Sequence, residues 1–150
     1  MHNYLQAFYT RIGMTCLLLT ITYGAAFSQT DYAAVADAAY ARGGFHVSAQ
    51  EYIKAYAKVK EIDEKGRIAF MIGESFRMLM DPAATEEWYD KAIGLRYGEK
   101  HPEVFLNYGE VMSSQQKFDD AIEWFMAFKE NGGDQGIADQ KILAADNDAL

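Results

Sequence analysis

The run Gly73-Glu74-Ser75-Phe76-Arg77 is where the residue types come nearest to chemistry. A serine two residues after a glycine can begin a nucleophile elbow, which holds the hydroxyl on a sharp turn between a strand and a helix. The elbow also needs a glycine two residues after the serine, and Arg77 stands there instead. The spacing around it is helical, so Ser75 is read as part of a packed helix, and a small hydrolase is the weakest of the readings considered. The protein is not expected to be an enzyme. His2, His46 and His101 lie far apart with no second ligand at metal spacing, and no metal or other cofactor is expected. Glu86-Glu87 and Asp119-Asp120 fall at helix starts, where the helix dipole favours carboxylates without any catalytic role.

Length and patterning set the elements that must hold these residues. A chain of 150 residues, 50% of them apolar and only two of them proline, suits one ordered domain. Its formal charge of −8 repels phosphate backbones, so no nucleic-acid partner is expected. Residues 1–28 differ from the rest. Arg11 precedes an uncharged apolar run of about 16 residues, short of the roughly 20 that span a bilayer, and Ala26 and Ser28 place small side chains before Gln29. This segment is predicted to be a secretory signal peptide, which leaves no membrane span in the mature chain. The single cysteine, Cys16, leaves with it, so packing alone must hold residues 29–150 together. The mature chain carries 13 basic and 22 acidic residues, a net charge of −9.

From Asp31 onward, apolar and small residues recur three and four apart, with Gly, Asp-Pro and Asn-Gly-Gly as punctuation. The pattern also repeats at long range. Ala36, Gly73 and Gly109 are spaced by 37 and 36 residues, and so are Ser48, Thr85 and Ala121, and Tyr52, Tyr89 and Phe125. Trp88 and Trp124 occupy equal repeat positions, which points to packing between units rather than to a stacking platform for bases.

These positions resemble the tetratricopeptide repeat, a helix-turn-helix unit of about 34 residues. Tyr32, Ala69 and Phe105 match its first large position, Val35, Ile72 and Tyr108 the next core position, and Ala36, Gly73 and Gly109 its small contact. Phe45, Pro82 and Phe118 start the second helices, and Ala55, Ala92 and Phe128 end the pattern, with Ala69, Pro82 and Phe128 departing from the usual residue types. The resemblance implies an all-α solenoid of three repeats, at about 29–65, 66–101 and 102–133. A capping helix at about 134–146 is expected after Asn131-Gly132-Gly133, started by Asp134, with an apolar stripe of Ile137, Ala138, Ile142 and Ala145. That helix is either a solubilising cap or a joint to further sequence. The residues beyond the 34-residue norm are expected in links around 60–66 and 94–101, which need not pack.

The same resemblance implies a groove along the first helices. Its facing residues would be Ala33, Asp37 and Tyr40; Arg67, Phe70, Glu74 and Arg77; and Glu103, Leu106, Glu110 and Ser113, with Asn107 close by. Of these, Asp37, Tyr40, Arg67, Phe70, Glu74, Arg77, Asn107 and Glu110 form the expected protein-binding groove. Arg67, Arg77 and Asn107 are too few to grip a C-terminal carboxylate in the manner of chaperone-tail clamps.

The runs RIAFMIGESFRMLMDPAATEEWYDKAIGLRY and HPEVFLNYGEVMSSQQKFDDAIEWFMAFKE also resemble the N-terminal repeat region of exported OmpA-family envelope proteins of Bacteroidota. Some members of that family belong to type IX secretion and gliding machinery. The resemblance implies a periplasmic or outer-membrane-associated adaptor with a protein or peptide partner in a cell-envelope assembly. A self-associating structural module is the alternative.

Overall fold

Three carboxylates fix where helices begin. Asp81 Oδ1 accepts from the Ala84 N–H at 3.1 Å, Asp134 Oδ1 from the Ile137 N–H at 2.9 Å, and Glu61 from the N–H groups of Asp63 and Glu64 at 2.9 and 2.5 Å. Each satisfies first-turn donors that the helix leaves without intrahelical partners. Pro82 follows Asp81 at the first helical position, where the missing N–H costs nothing.

The structure is a computed structural model describing residues 31–150, and the expected signal segment 1–28 lies outside the described residues. The helices run in the order α1 (Tyr32–Ala41), α2 (Phe45–Lys58), α3 (Ile62–Met78), α4 (Pro82–Gly94), a 3-10 turn (Tyr97–Glu99), α5 (Glu103–Ser114), α6 (Phe118–Glu130) and α7 (Gln135–Asp148). Among the described residues there is no strand. Helices adjacent in sequence pack against each other, giving three helical pairs and a last helix laid on the third.

Close approach within each pair depends on the small repeat positions. A Cβ on Gly73 would come within 2.5 Å of Tyr89 Cδ1, and one on Gly109 within 2.4 Å of Phe125 Cε1. Tyr52, Tyr89 and Phe125 are thereby fully buried against the helix they face. Ser75 is buried too, its Oγ donating to the Met71 carbonyl at 2.8 Å and lying 3.1 Å from Ser48 Oγ. Its hydroxyl serves packing between the first two repeats. Only one of the two tryptophans joins neighbouring units by ring contact as expected: Trp88 meets Tyr56 of the first repeat edge-on at 5.1 Å, whereas Trp124 stacks on Tyr108 at 4.2 Å inside its own repeat.

The turns inside the pairs share one backbone device. Gly43, Met80 and Gln116 have φ of 75°, 57° and 62°, at spacings of 37 and 36 residues. Only the first of these is the residue that suits a left-handed conformation.

Several expectations need correction. Residues 62–66 are not a loose link but the opening of α3, and Gly66 is buried where a Cβ would meet Tyr97 Cβ at 3.0 Å. The link at 94–101 packs as well: Gly98 is buried, and a Cβ there would meet Phe105 Cζ at 2.5 Å. Val35, expected in the core, is 42% exposed, and Ile137 lies off the buried stripe that Ala138 and Ala145 form on α7. Phe128, large at a usually small position, fits because Gly133 leaves room: a Cβ there would lie 2.2 Å from the ring.

Candidate functional site

Each first helix carries a carboxylate one residue after its small contact, namely Asp37, Glu74 and Glu110. Each reaches toward the next unit. Asp37 Oδ1 accepts from Arg67 Nη1 at 3.2 Å, Glu74 Oε1 from Asn107 Nδ2 at 2.8 Å, and Glu110 Oε1 from Lys141 Nζ at 2.6 Å. These bonds run α1 to α3, α3 to α5 and α5 to α7, so α7 takes the place of a fourth first helix. The ladder brings Asp37, Arg67, Glu74, Arg77, Asn107 and Glu110 onto one side of the stack.

Second helices support the ladder from below. The Tyr52 hydroxyl donates to Asp37 and the Tyr89 hydroxyl to Glu74. Arg67 is oriented by Glu64, with Nε at 2.9 Å and Nη2 at 2.8 Å from its oxygens. Arg77 makes the same fork to Glu74, at 3.1 and 2.6 Å.

Two expected groove residues are not surface groups. Glu74 is only 6% exposed, because Tyr89, Asn107 and Arg77 converge on it and compensate its loss of water. Phe70 is 8% exposed, lying in the core between the rings of Tyr89 and Tyr97 at 5.8 and 5.4 Å. The 3-10 turn causes this by bringing Tyr97 against α3. Tyr40 is half-buried, packed edge-on against Phe45 at 5.3 Å and close enough to Glu74 for that carboxylate to act on it. Ala33, Leu106 and Ser113 are also half-buried, while Glu103 is exposed beside His101 Nδ1 at 3.2 Å. His101 itself stacks on Tyr97 at 4.2 Å.

The supporting phenols were not visible as donors in the sequence, where Tyr52 and Tyr89 stand only as large packing residues. Their signal is a tyrosine 15 residues after each of two groove carboxylates.

Burial pushes the Tyr52, Tyr89 and Tyr108 phenols upward, and the carboxylates Asp37, Glu74 and Asp90 that accept from them push further. Folded values above the unfolded 10.0 mean that the folded state holds these protons more tightly. The associated stability is therefore complete below about pH 10 and is lost as pH rises above it, by about 1.4 kcal/mol per pH unit for each phenol. Melting temperature is expected to fall steeply above pH 10, with phenolate absorbance rising together with unfolding. Tyr89→Phe should show a shallower fall over the same range.

Solved structures match the helical fold. A chain from the functional characterisation of Pseudomonas aeruginosa pilF superposes with a TM-score of 0.62 at 16% identity, over 79% of this chain and 55% of that one. PilF contains tetratricopeptide repeats. The fold is a tetratricopeptide-repeat solenoid. At this identity the likeness concerns fold alone, and the chain spans about half of the neighbour's length. No family model matches the chain, and no curated protein does. In this solenoid the first helices α1, α3 and α5 present the polar ladder, and the second helices α2 and α4 hold its first two carboxylates in place.

Proposed function

We propose that this tetratricopeptide-repeat protein is an exported scaffold that binds a protein or peptide partner in a cell-envelope assembly, of the secretion or OmpA type. The ladder of Asp37–Arg67, Glu74–Asn107 and Glu110–Lys141 carries this reading. It is a preorganised row of polar groups along one side of a stacked array, and ordered side chains lose little entropy when a partner docks. The groups positioned for docking are Asp37, Tyr40, Arg67, Arg77, Asn107 and Glu110, while Phe70 and Glu74 act through packing and charge beneath them. Export rests on the segment 1–28, and the envelope setting on the sequence resemblance.

Crosslinking in the envelope fraction tests the proposal. A discrete protein is expected to crosslink through α1 and α3 and to be lost in Arg67→Gln and Tyr40→Ala variants that melt normally. Normal crosslinking by both variants would count against the groove. Self-association is the second reading, favoured by exposed Ile137 and Leu143 on α7. Sedimentation showing a dimer that Leu143→Glu dissolves would select it.

A further inference from the structure

The three repeats supply their groove carboxylates unequally. Asp37 and Glu74 each receive a phenol from the residue 15 positions on, whereas the matching residue for Glu110 is Phe125. The Phe125 ring covers Gly109 as Tyr89 covers Gly73, so only the hydroxyl is missing. Glu110 is left with Lys141 on Oε1, its side chain 38% exposed and its Oε2 without a partner among the described residues.

Two clefts meet at this carboxylate. One, of about 420 Å³, opens between the second and third repeats, walled by Met80, Pro82 and Val111. The other, of about 300 Å³, lies among α5, α6 and α7 and is bordered by Phe125, Lys141 and Asp148. Met80 stands at the first cleft 91% exposed, in the left-handed turn position that repeat one fills with glycine. A flexible thioether wall of this kind adapts to an inserted apolar side chain.

Charge decides what that side chain is attached to. Each nearby cation is matched: Arg77 by Glu74, Lys117 by Glu86 and Lys141 by Glu110. Asp81, beyond its bond to the Ala84 N–H, and Asp148 remain in excess, so the clefts present negative potential.

We propose that Glu110 and its clefts bind an extended basic segment of a partner protein. An apolar side chain of that segment enters between Met80, Pro82 and Val111, and an adjacent lysine or arginine reaches Glu110 Oε2. This rests on the scaffold reading and names the chemistry of its partner. Apolar burial supplies attraction, and the charge-assisted bond sets register and selects against acidic segments.

The probe is a blocked peptide with one leucine flanked by lysines, titrated into the protein while backbone amide shifts are followed. Saturable shifts are expected at Met80, Glu110 and Val111, and a matched peptide with glutamates in place of the lysines should leave them unmoved. Phe125→Tyr, which gives Glu110 its phenol, should weaken binding about ten-fold, the scale of one hydrogen bond to a charged group. Met80→Gly should weaken it similarly while relieving the left-handed turn, so it remains informative if Phe125→Tyr folds poorly. Equal shifts from both peptides, no saturable shift at the clefts, or unchanged binding by Met80→Gly would overturn the proposal. Shifts confined to Asp37, Tyr40 and Arg67 would also overturn it while leaving the scaffold reading standing. Absence of any crosslinked envelope protein would instead remove the scaffold reading, whatever the peptide does.

Discussion

Gly73→Leu is expected to lower the stability of the protein by about 1 to 3 kcal/mol through overpacking. A Cβ alone would sit 2.5 Å from Tyr89 Cδ1 and 2.6 Å from Cε1, both inside van der Waals contact, and leucine adds three more carbons behind it. The ring cannot step aside cheaply. It is fully buried, stacked beside Phe70, and its hydroxyl is tied to Glu74. Glycine in a helix interior ordinarily costs roughly 1 kcal/mol relative to alanine, so a residue that merely failed to pack would gain stability on replacement. The sign of the effect is therefore diagnostic. Chemical denaturation should show a lower midpoint, and an unchanged or raised midpoint would mean that α3 and α4 are not held together at this contact.

Glu74→Ala is expected to cost about 2 to 4 kcal/mol. Removing the carboxylate leaves the buried Tyr89 hydroxyl without its acceptor and takes Asn107 Nδ2 and Arg77 from theirs, and each stranded buried donor costs about 1 to 3 kcal/mol. Arg77 is part-exposed and recovers water, so its share is small. The bond from Asn107 crosses from α5 to α3, which couples the second and third repeats. A double-mutant cycle with Asn107→Ala should therefore show clear non-additivity, since the two residues share one bond. Additive losses would mean that Glu74 matters only inside its own repeat.

Much of the fold was legible because packing between paired helices leaves a residue-size signature. Small residues at 36, 73 and 109 and large ones at 52, 89 and 125 keep their spacing even where residue types change. Pro82 and Asp134 were legible as helix starts because their chemistry is local to the chain. The candidate site was only partly legible. Helical register places Glu74 beside Arg77 and on the same face as Arg67, but no one-dimensional pattern shows that Tyr89 and Asn107 enclose its carboxylate from other helices. Phe70 is hidden for a related reason: its burial depends on Tyr97, delivered by a 3-10 turn whose conformation the repeat pattern does not encode. Gly66 and Gly98 belong to the same displaced packing, which periodicity reads as spare linker.

That turn has a mechanical consequence. Because it stands between the second and third pairs, α4 meets α5 over a shorter span than α2 meets α3 or α6 meets α7. In a linear array, cooperativity passes only through nearest-neighbour interfaces, so the weakest interface sets where the array divides. Here the turn itself spans that interface, with Tyr97 against Phe70 and Gly98 against Phe105, so the second and third pairs share one apolar core and are expected to open together in amide exchange.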